Sequence, residues 1–299
     1  MISIKAWLVA ARLRTLPLAL SSIGVGGILA YKLQNFDWVI FSLCILTTLL
    51  LQILSNFAND YGDYVHGADS NVRKGPERMV QSGTISANAM KTAMLVMALL
   101  SLLSGLSLLY FSIPELSWLF VGFLVLGILS IAAAIKYTAG ANPYGYMGLG
   151  DIFVFVFFGP VAVLGTCFLQ TQYLAIEIVL PAISMGLFAT GVLNVNNIRD
   201  IDSDKEGGKM SIPVRIGKVN AKIYHSLLIG VGIFLSMYYT ITQLEDWQQF
   251  LPILSVPFFL YNVVIVWKRE GKELDSMLKQ LVISILIFSI LFSIGVYLK

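Results

Sequence analysis

Charge is scarce in this chain. Only 12% of its 299 residues are Asp, Glu, Lys or Arg, whereas a water-soluble domain carries about 25%. That shortage excludes an ordinary soluble domain. The formal net charge of +3 is too small to imply a nucleic-acid partner. Cysteine is also rare: Cys44 and Cys167 each lie inside an apolar run, so there is no disulfide framework and no cysteine metal site. Two histidines, His66 and His225, exclude a His-rich metal centre, and His66 reads as a loop residue. What abounds is apolar surface, at 57% hydrophobic residues.

That apolar material falls into long runs. Lys5, Arg12 and Arg14 precede a run from about Leu16 to Ala30, with Pro17 at its start. The pattern is that of a signal peptide, but further runs follow and no cleavage site stands out. It reads as an uncleaved first span, with a short interfacial helix ahead of it anchored by Trp7. Further runs cover roughly 38–59, 90–112, 116–135, 151–170, 173–195, 223–242, 248–267 and 277–298. Each approaches the ~20 residues needed to cross the hydrocarbon core. They do not alternate as barrel strands would, so the expected fold is all-α. The expectation is a single polytopic membrane domain over 1–299: nine transmembrane helices around a central cavity, open to the cytoplasm and laterally to lipid.

Basic residues orient the chain. The segments before span 1 and after spans 2, 4, 6 and 8 hold 18 of the 20 Lys and Arg, leaving Lys32 and Lys299 on the other side. By the positive-inside rule the N-terminus and the loops after spans 2 and 6 are cytoplasmic, in a cell (inner) membrane. Those two loops are long, and long loops in a compact protein are usually functional or disordered.

Both long loops begin with acidic clusters. The first, Asn56-Phe-Ala-Asn-Asp-Tyr-Gly-Asp-Tyr-Val-His-Gly-Ala-Asp69, closes span 2. Asn56, Asn59, Asp60 and Asp63 share one helix face by their i, i+3, i+4, i+7 spacing. With Asp69 they offer oxygen donors that suit a hard divalent cation such as Mg²⁺. The second, Asn196-Asn-Ile-Arg-Asp-Ile-Asp-Ser-Asp204, closes span 6; Asp200 and Asp204 are i, i+4 neighbours, with Asn197 on the same face. Acidic residues at the mouth of a membrane helix are costly unless something binds them. Two clusters on one face suggest two Mg²⁺ ions clamping a diphosphate. Their four-span separation also hints at a repeat of spans 1–4 and 5–8 plus a ninth helix.

Cations follow each cluster. Arg73, Arg78, Lys209 and Arg215 suit phosphate oxygens, and they equally suit the topology charge that such loops carry. A third loop, from Ala134 to Asp151, is rich in glycine and joins spans 4 and 5. Lys136 is its one basic residue. Tyr137, Tyr144 and Tyr146 either border a site where an allylic cation forms or belong to the interfacial aromatic belt.

The spacing Asn59-x3-Asp63-x5-Asp69, with Asp200-x3-Asp204, resembles the paired motifs of the UbiA superfamily of intramembrane prenyltransferases. The longer first spacing resembles its naphthoate and menaquinone branch. So do Ala11-Arg-Leu-Arg-Thr-Leu-Pro17, Gly75-Pro-Glu-Arg-Met-Val-Gln-Ser-Gly83, Pro143-Tyr-Gly-Tyr-Met-Gly-Leu-Gly-Asp151 and Asn196 to Asp204. The chain departs from the family at Arg12-Leu13, where members often have Arg-Pro. The resemblance implies that Asn59, Asp60, Asp63, Asp69, Asn197, Asp200 and Asp204 bind Mg²⁺ and hold a polyprenyl diphosphate. It implies ionisation of the allylic C–O bond and attack by an aromatic acceptor, 1,4-dihydroxy-2-naphthoate, with loss of CO2. Arg73, Arg78, Lys209, Arg215, Asn196, Tyr144 and Tyr146 are then candidate substrate contacts. Asp63, Asp200, Asp204, Lys136 and Tyr137 are candidates for the chemistry, with Lys136 meeting the acceptor's carboxylate. The rivals are a different acceptor such as 4-hydroxybenzoate or homogentisate, a cation-coupled transporter, and a non-catalytic diphosphate-binding membrane protein.

Overall fold

The computed structural model describes residues 3–67, 78–243 and 246–298. A short helix α1 (Ile4–Ala10) comes first. The chain then breaks at Arg12, whose φ of 48° lies in the left-handed region. Helix α2 (Leu16–Lys32) follows, with Pro17 in its first turn, where a missing N–H costs nothing. Then come α3 (Trp38–Val65), α4 (Ala87–Ser112), α5 (Trp118–Lys136), α6 (Gly150–Thr171) and α7 (Ile176–Arg199). Two short helices, α8 (Ile201–Glu206) and α9 (Ile212–Ile216), precede α10 (Lys218–Gln243), α11 (Trp247–Lys268) and α12 (Gly271–Tyr297). Among the described residues nine helices are long and apolar enough to cross a membrane, the first counted from Ile4 through Lys32. This is a multi-pass membrane protein, all-α as expected.

Several helices outrun their apolar runs because capping residues, not hydrophobicity, set their ends. Asp37 accepts from the N–H groups of Val39 (2.7 Å) and Ile40 (3.0 Å) to start α3. Ser86 and Ser117 do the same for α4 and α5, each at 3.2 Å. At its other end α3 continues through the first acidic cluster to Val65, so Asn56 to Asp63 ride on its last turns.

The surface suits lipid. Large apolar side chains on α4, α5 and α10 are exposed, which in water would mark an aggregation-prone patch. Trp38, Trp118 and Trp247 begin α3, α5 and α11 on the membrane side opposite the acidic clusters, as an interfacial belt requires. That side carries a packed layer of its own. Ile23, Ile40, Cys44, Leu108, Leu109, Ile113 and Leu169 pack together in it. Above them Ser112 donates to the Leu169 carbonyl, Gln170 and Asp37 exchange two bonds (2.7 and 3.0 Å), and Lys32 donates to the Gln243 carbonyl at 2.9 Å.

Within the bundle, small residues and polar side chains bring helices together, as in other membrane interiors. At the α6–α7 crossing a Cβ on Gly159 would stand 2.6 Å from the Ala182 oxygen, and one on Gly186 would stand 2.7 Å from the Phe155 oxygen. The middle of α6, Phe157–Leu164, winds with wider π-type turns around Pro160, which lacks the N–H that a regular helix needs there. The largest apolar core gathers Phe188, Phe259, Phe288 and Phe292, the first two stacked with centroids 4.5 Å apart. Beside it, His225 Nε2 lies 3.0 Å from Asn262 Oδ1, and Asn262 donates to the Met277 carbonyl (2.9 Å) and Gln280 (2.6 Å).

The approach that matters most for the cavity is at Gly62. A Cβ there would lie 2.3 Å from the Thr138 carbonyl oxygen and 2.8 Å from the Ala139 nitrogen. Helix α3 therefore touches the backbone of the loop after α5, and Thr138 donates its hydroxyl to the Ala58 carbonyl at 3.0 Å. Gly62→Ala must push helix and loop apart. Overpacking of this kind costs about 1–3 kcal/mol. The expected outcome is a lowered melting temperature in detergent; an unchanged melting curve would show that the contact is soft.

Candidate active site

A cavity of about 440 Å³ lies between α2, α3, α4, α5, α6, α7 and α12. Its inner part is apolar, lined by residues such as Leu102, Leu106, Phe123, Leu124, Phe157 and Val161. Its polar end holds Asn59 and Asp63 from α3, Arg78 after it, Tyr137, and Asn196, Asp200, Ser203, Asp204 and Lys209 from the second cluster. Sequence positions some 140 residues apart thus meet at one cavity end.

Each cavity carboxylate has a cation. Asp63 pairs with Arg78, whose guanidinium also donates to the Asn59 carbonyl. Asp200 accepts from Arg199 through Nε (2.9 Å) and Nη2 (2.5 Å). Asp204 lies 3.5 Å from Lys209 Nζ and accepts from the Ser211 hydroxyl at 3.2 Å. All six side chains are buried. Burial pushes the Asp204 carboxyl above its ordinary range; Lys209 opposes this and Asp200 adds to it. For Lys209 burial alone would lower the ammonium, but Asp204, Tyr137 and Asp63 outweigh it and hold it above the usual lysine range. Tyr137 and Tyr144 are raised chiefly by burial.

The glycine-rich loop joins the two clusters. Tyr146 donates its hydroxyl to Asp63 at 2.7 Å, while its carbonyl accepts from the Met210 N–H at 2.9 Å beside Lys209. Tyr144 lines the cavity, stacked on Phe153 at 3.9 Å, with its hydroxyl on the Ala133 carbonyl. Tyr146 does not itself line the cavity; it acts on Asp63 from outside.

Several expected residues stand elsewhere. Asp60 turns away from the cavity: its two oxygens accept from the N–H groups of Met79 (3.0 Å) and Val80 (2.9 Å), as any buried carboxylate near free amides will. Asn197 is buried and off the cavity wall. Arg215 is exposed and spends its guanidinium on the Met210 (3.0 Å) and Met147 (2.7 Å) carbonyls. Lys136 is exposed and does not line the cavity, because it sits on the outward side of the last turn of α5. Asp69 and Arg73 lie outside the described residues.

Other residues reach the cavity that the motif spacing did not single out. Arg12, Arg14 and Thr15 line it from the break before α2, and Lys279 lines it from α12. Asn56 fixes that break by donating to the Ala11 carbonyl (2.8 Å) and to Thr15 Oγ1 (3.2 Å). The family-like segment Ala11 to Pro17, with its two arginines just ahead of a helix-starting proline, was the available signal for Arg12 and Arg14.

Among the described residues no three His, Cys, Asp or Glu side chains form a ready metal cage. The donors still fit Mg²⁺. It commonly takes one or two carboxylates plus substrate phosphates rather than an all-protein shell, and Asp63 with Asn59 from α3, and Asp200 with Asp204 and Asn196 from α7 and α8, offer oxygens at the same cavity end.

Seven of the nine candidate membrane helices among the described residues line the cavity, with Asp63 near the end of α3 and Asp200 and Asp204 beyond α7 at its polar end. Residues 19–293 match the UbiA prenyltransferase family, and the chain belongs to it. It is 44% identical to a 1,4-dihydroxy-2-naphthoate octaprenyltransferase of Haemophilus influenzae, over 98% of this chain and 96% of that one. The enzyme of the same name from Escherichia coli is 43% identical, over 99% and 96%. A UbiA homolog from Archaeoglobus fulgidus bound to DMAPP and Mg²⁺ has the same fold, with a TM-score of 0.63 at 16% identity, covering 96% of this chain and 99% of that one.

The placement of Asp60 separates support from chemistry. Asp60→Ala leaves two buried N–H groups unpaired, at about 1–3 kcal/mol each. It is expected to lower the melting temperature in detergent by several degrees, and Asp60→Asn less, since one acceptor remains. Equal melting temperatures for wild type and Asp60→Ala would remove the support role.

Proposed function

We propose that this chain transfers a polyprenyl group from polyprenyl diphosphate to 1,4-dihydroxy-2-naphthoate, with loss of CO2 and diphosphate. The observation that carries the reading is the cavity itself: carboxylates at its polar end, continuous with an apolar interior, in a chain 44% identical to an enzyme of that name.

In this reading Asn59 and Asp63 hold one Mg²⁺, and Asn196, Asp200 and Asp204 hold the other. The ions would supply Lewis-acid neutralisation of the leaving diphosphate. Arg78 and Lys209 exchange partners when substrate arrives, turning from Asp63 and Asp204 to phosphate oxygens. The allylic C–O bond breaks and its electron pair leaves with diphosphate. Tyr137 presents its ring to the allylic cation. The acceptor forms a C–C bond through its carboxylated carbon; CO2 then departs and leaves its bonding pair in the ring. The product is the hydroquinone form of demethylmenaquinone. Lys136 faces away, so the candidates for the acceptor's carboxylate are the cavity-lining cations Arg12, Arg14 and Lys279. The prenyl tail lies in the apolar interior and reaches lipid between helices.

Labelled prenyl diphosphate, Mg²⁺ and either dihydroxynaphthoate or 4-hydroxybenzoate test this. Dihydroxynaphthoate should be prenylated with release of CO2, and Asp63→Ala and Asp200→Ala should each lower kcat by orders of magnitude. Efficient prenylation of 4-hydroxybenzoate alone would overturn the acceptor. Cation-driven transport without prenylation would overturn the class.

Orientation belongs to the same reading. The 18 of 20 basic residues on the cavity-mouth side support a cytoplasmic mouth. In a chain lacking Cys44 and Cys167, a cysteine at exposed Ser82 should resist a membrane-impermeant thiol reagent applied to intact cells. One at exposed Glu115 should react. The reverse pattern would invert the topology.

A further inference from the structure

Asp200 sits at an awkward place. It ends α7 and begins α8, with φ −98° and ψ 10°, outside the regular geometry of either helix. A carboxylate at such a joint has no neighbouring turn to steady it. Arg199 steadies it through two parallel bonds, but Arg199 is its sequence neighbour and moves with the same joint. The guanidinium therefore needs an anchor elsewhere. Two are present. Nη2 also donates to Asn196 Oδ1 at 2.9 Å, one turn back on α7. Nη1 donates to Asp275 Oδ1 at 2.5 Å, in the first turn of α12. The Arg199 side chain is 2% exposed, that of Asp200 7% and that of Asp275 32%.

The charge count gives the arrangement a second effect. A lone Arg199–Asp200 pair would be neutral, and bidentate pairing would leave Asp200 a poor attractant for a cation. With Asp275 sharing the guanidinium, one arginine faces two carboxylates and the group keeps one net negative charge. Arg199 and Asp200 are buried, so the charge on Asp200 is poorly screened, whereas Asp275, about a third exposed and sharing a surface depression with Arg269, Lys272 and Lys279, is screened more. The part of the group that reaches the cavity is Asp200 with Asn196.

From this geometry we infer that Asp275 is a positioning residue for the second carboxylate set. By drawing Arg199 toward α12 it fixes the direction of the Asp200 carboxylate and leaves it the charge to bind a divalent cation. Asp275 does not line the cavity, so it acts through Arg199. The inference rests on the reading of Asp200 as a cation-binding carboxylate. It also makes α12, which carries neither acidic motif, part of the site's electrostatics.

The test uses the full-length protein in nanodiscs, with Mn²⁺ and inorganic pyrophosphate as probe. Bound Mn²⁺ is read from the loss of the free-ion paramagnetic resonance signal, independently of turnover. Asp275→Asn keeps the shape and one acceptor but removes the charge; it should weaken Mn²⁺ binding at least tenfold. Asp275→Glu keeps the charge and should bind within about threefold of wild type. Glu270→Gln, which disrupts the ion pair with Lys218 on the same membrane side, should bind as wild type does. Wild-type affinity in Asp275→Asn overturns the role of Asp275, and so does equal weakening in Asn and Glu variants, which would mark a structural site. Wild-type protein that takes up no Mn²⁺ overturns the reading of Asp200 together with it.

Discussion

Everything at the polar end of the cavity depends on burying carboxylates where water cannot solvate them. An isolated charge there would be neutralised or expelled. The chain meets this by giving each one a cation: Arg78 for Asp63, Arg199 for Asp200 and Lys209 for Asp204. Pairs of this kind add little net stability, because desolvation consumes most of the attraction. Their presence is better explained by what they keep ready. In the proposed reaction a site balanced by its own side chains accepts a charged substrate by trading partners, without having to bury unpaired charge at any stage.

The loop from Tyr137 to Leu149 transmits that balance. Tyr146 bonds Asp63 with its hydroxyl and Met210 with its carbonyl, so one residue spans both acidic sets. Gly62 lets α3 lie against the same loop. Displacing the loop would therefore disturb both sets together. The position of Asp63 is a tertiary property as much as a helical one.

Much of this was legible beforehand. Nine long apolar runs can only be membrane helices, and the charge asymmetry and paired acidic clusters identified the polar face. Helical spacing also placed Asn59 and Asp63 on one face correctly. It failed at Asp60 because a one-dimensional pattern does not show which amides come free nearby; the N–H groups of Met79 and Val80 claim that carboxylate. It failed at Lys136 and Arg215 for a related reason. Charge in a loop signals topology, but the direction of the last helical turn, or a neighbouring carbonyl, decides where the side chain goes. Arg14 lay within the Ala11 to Pro17 segment that resembles the family but was given no role there, and Lys279 was hidden because its place at the cavity comes from the packing of α12, which no local motif encodes.

The packed layer on the side away from the acidic clusters has a consequence for the membrane rather than for the reaction. A cavity that admits charged molecules from one side would, if continuous, be a conduit. Any ion gradient across the membrane would then run down through it. The packing of Ile23, Leu109 and Leu169, with the Ser112, Gln170 and Lys32 bonds to main-chain carbonyls beyond it, sets apolar contacts and paired polar groups across that path. The molecule thus keeps its charged cavity end on one side of an apolar layer, as a bilayer keeps charge on one side of its hydrocarbon.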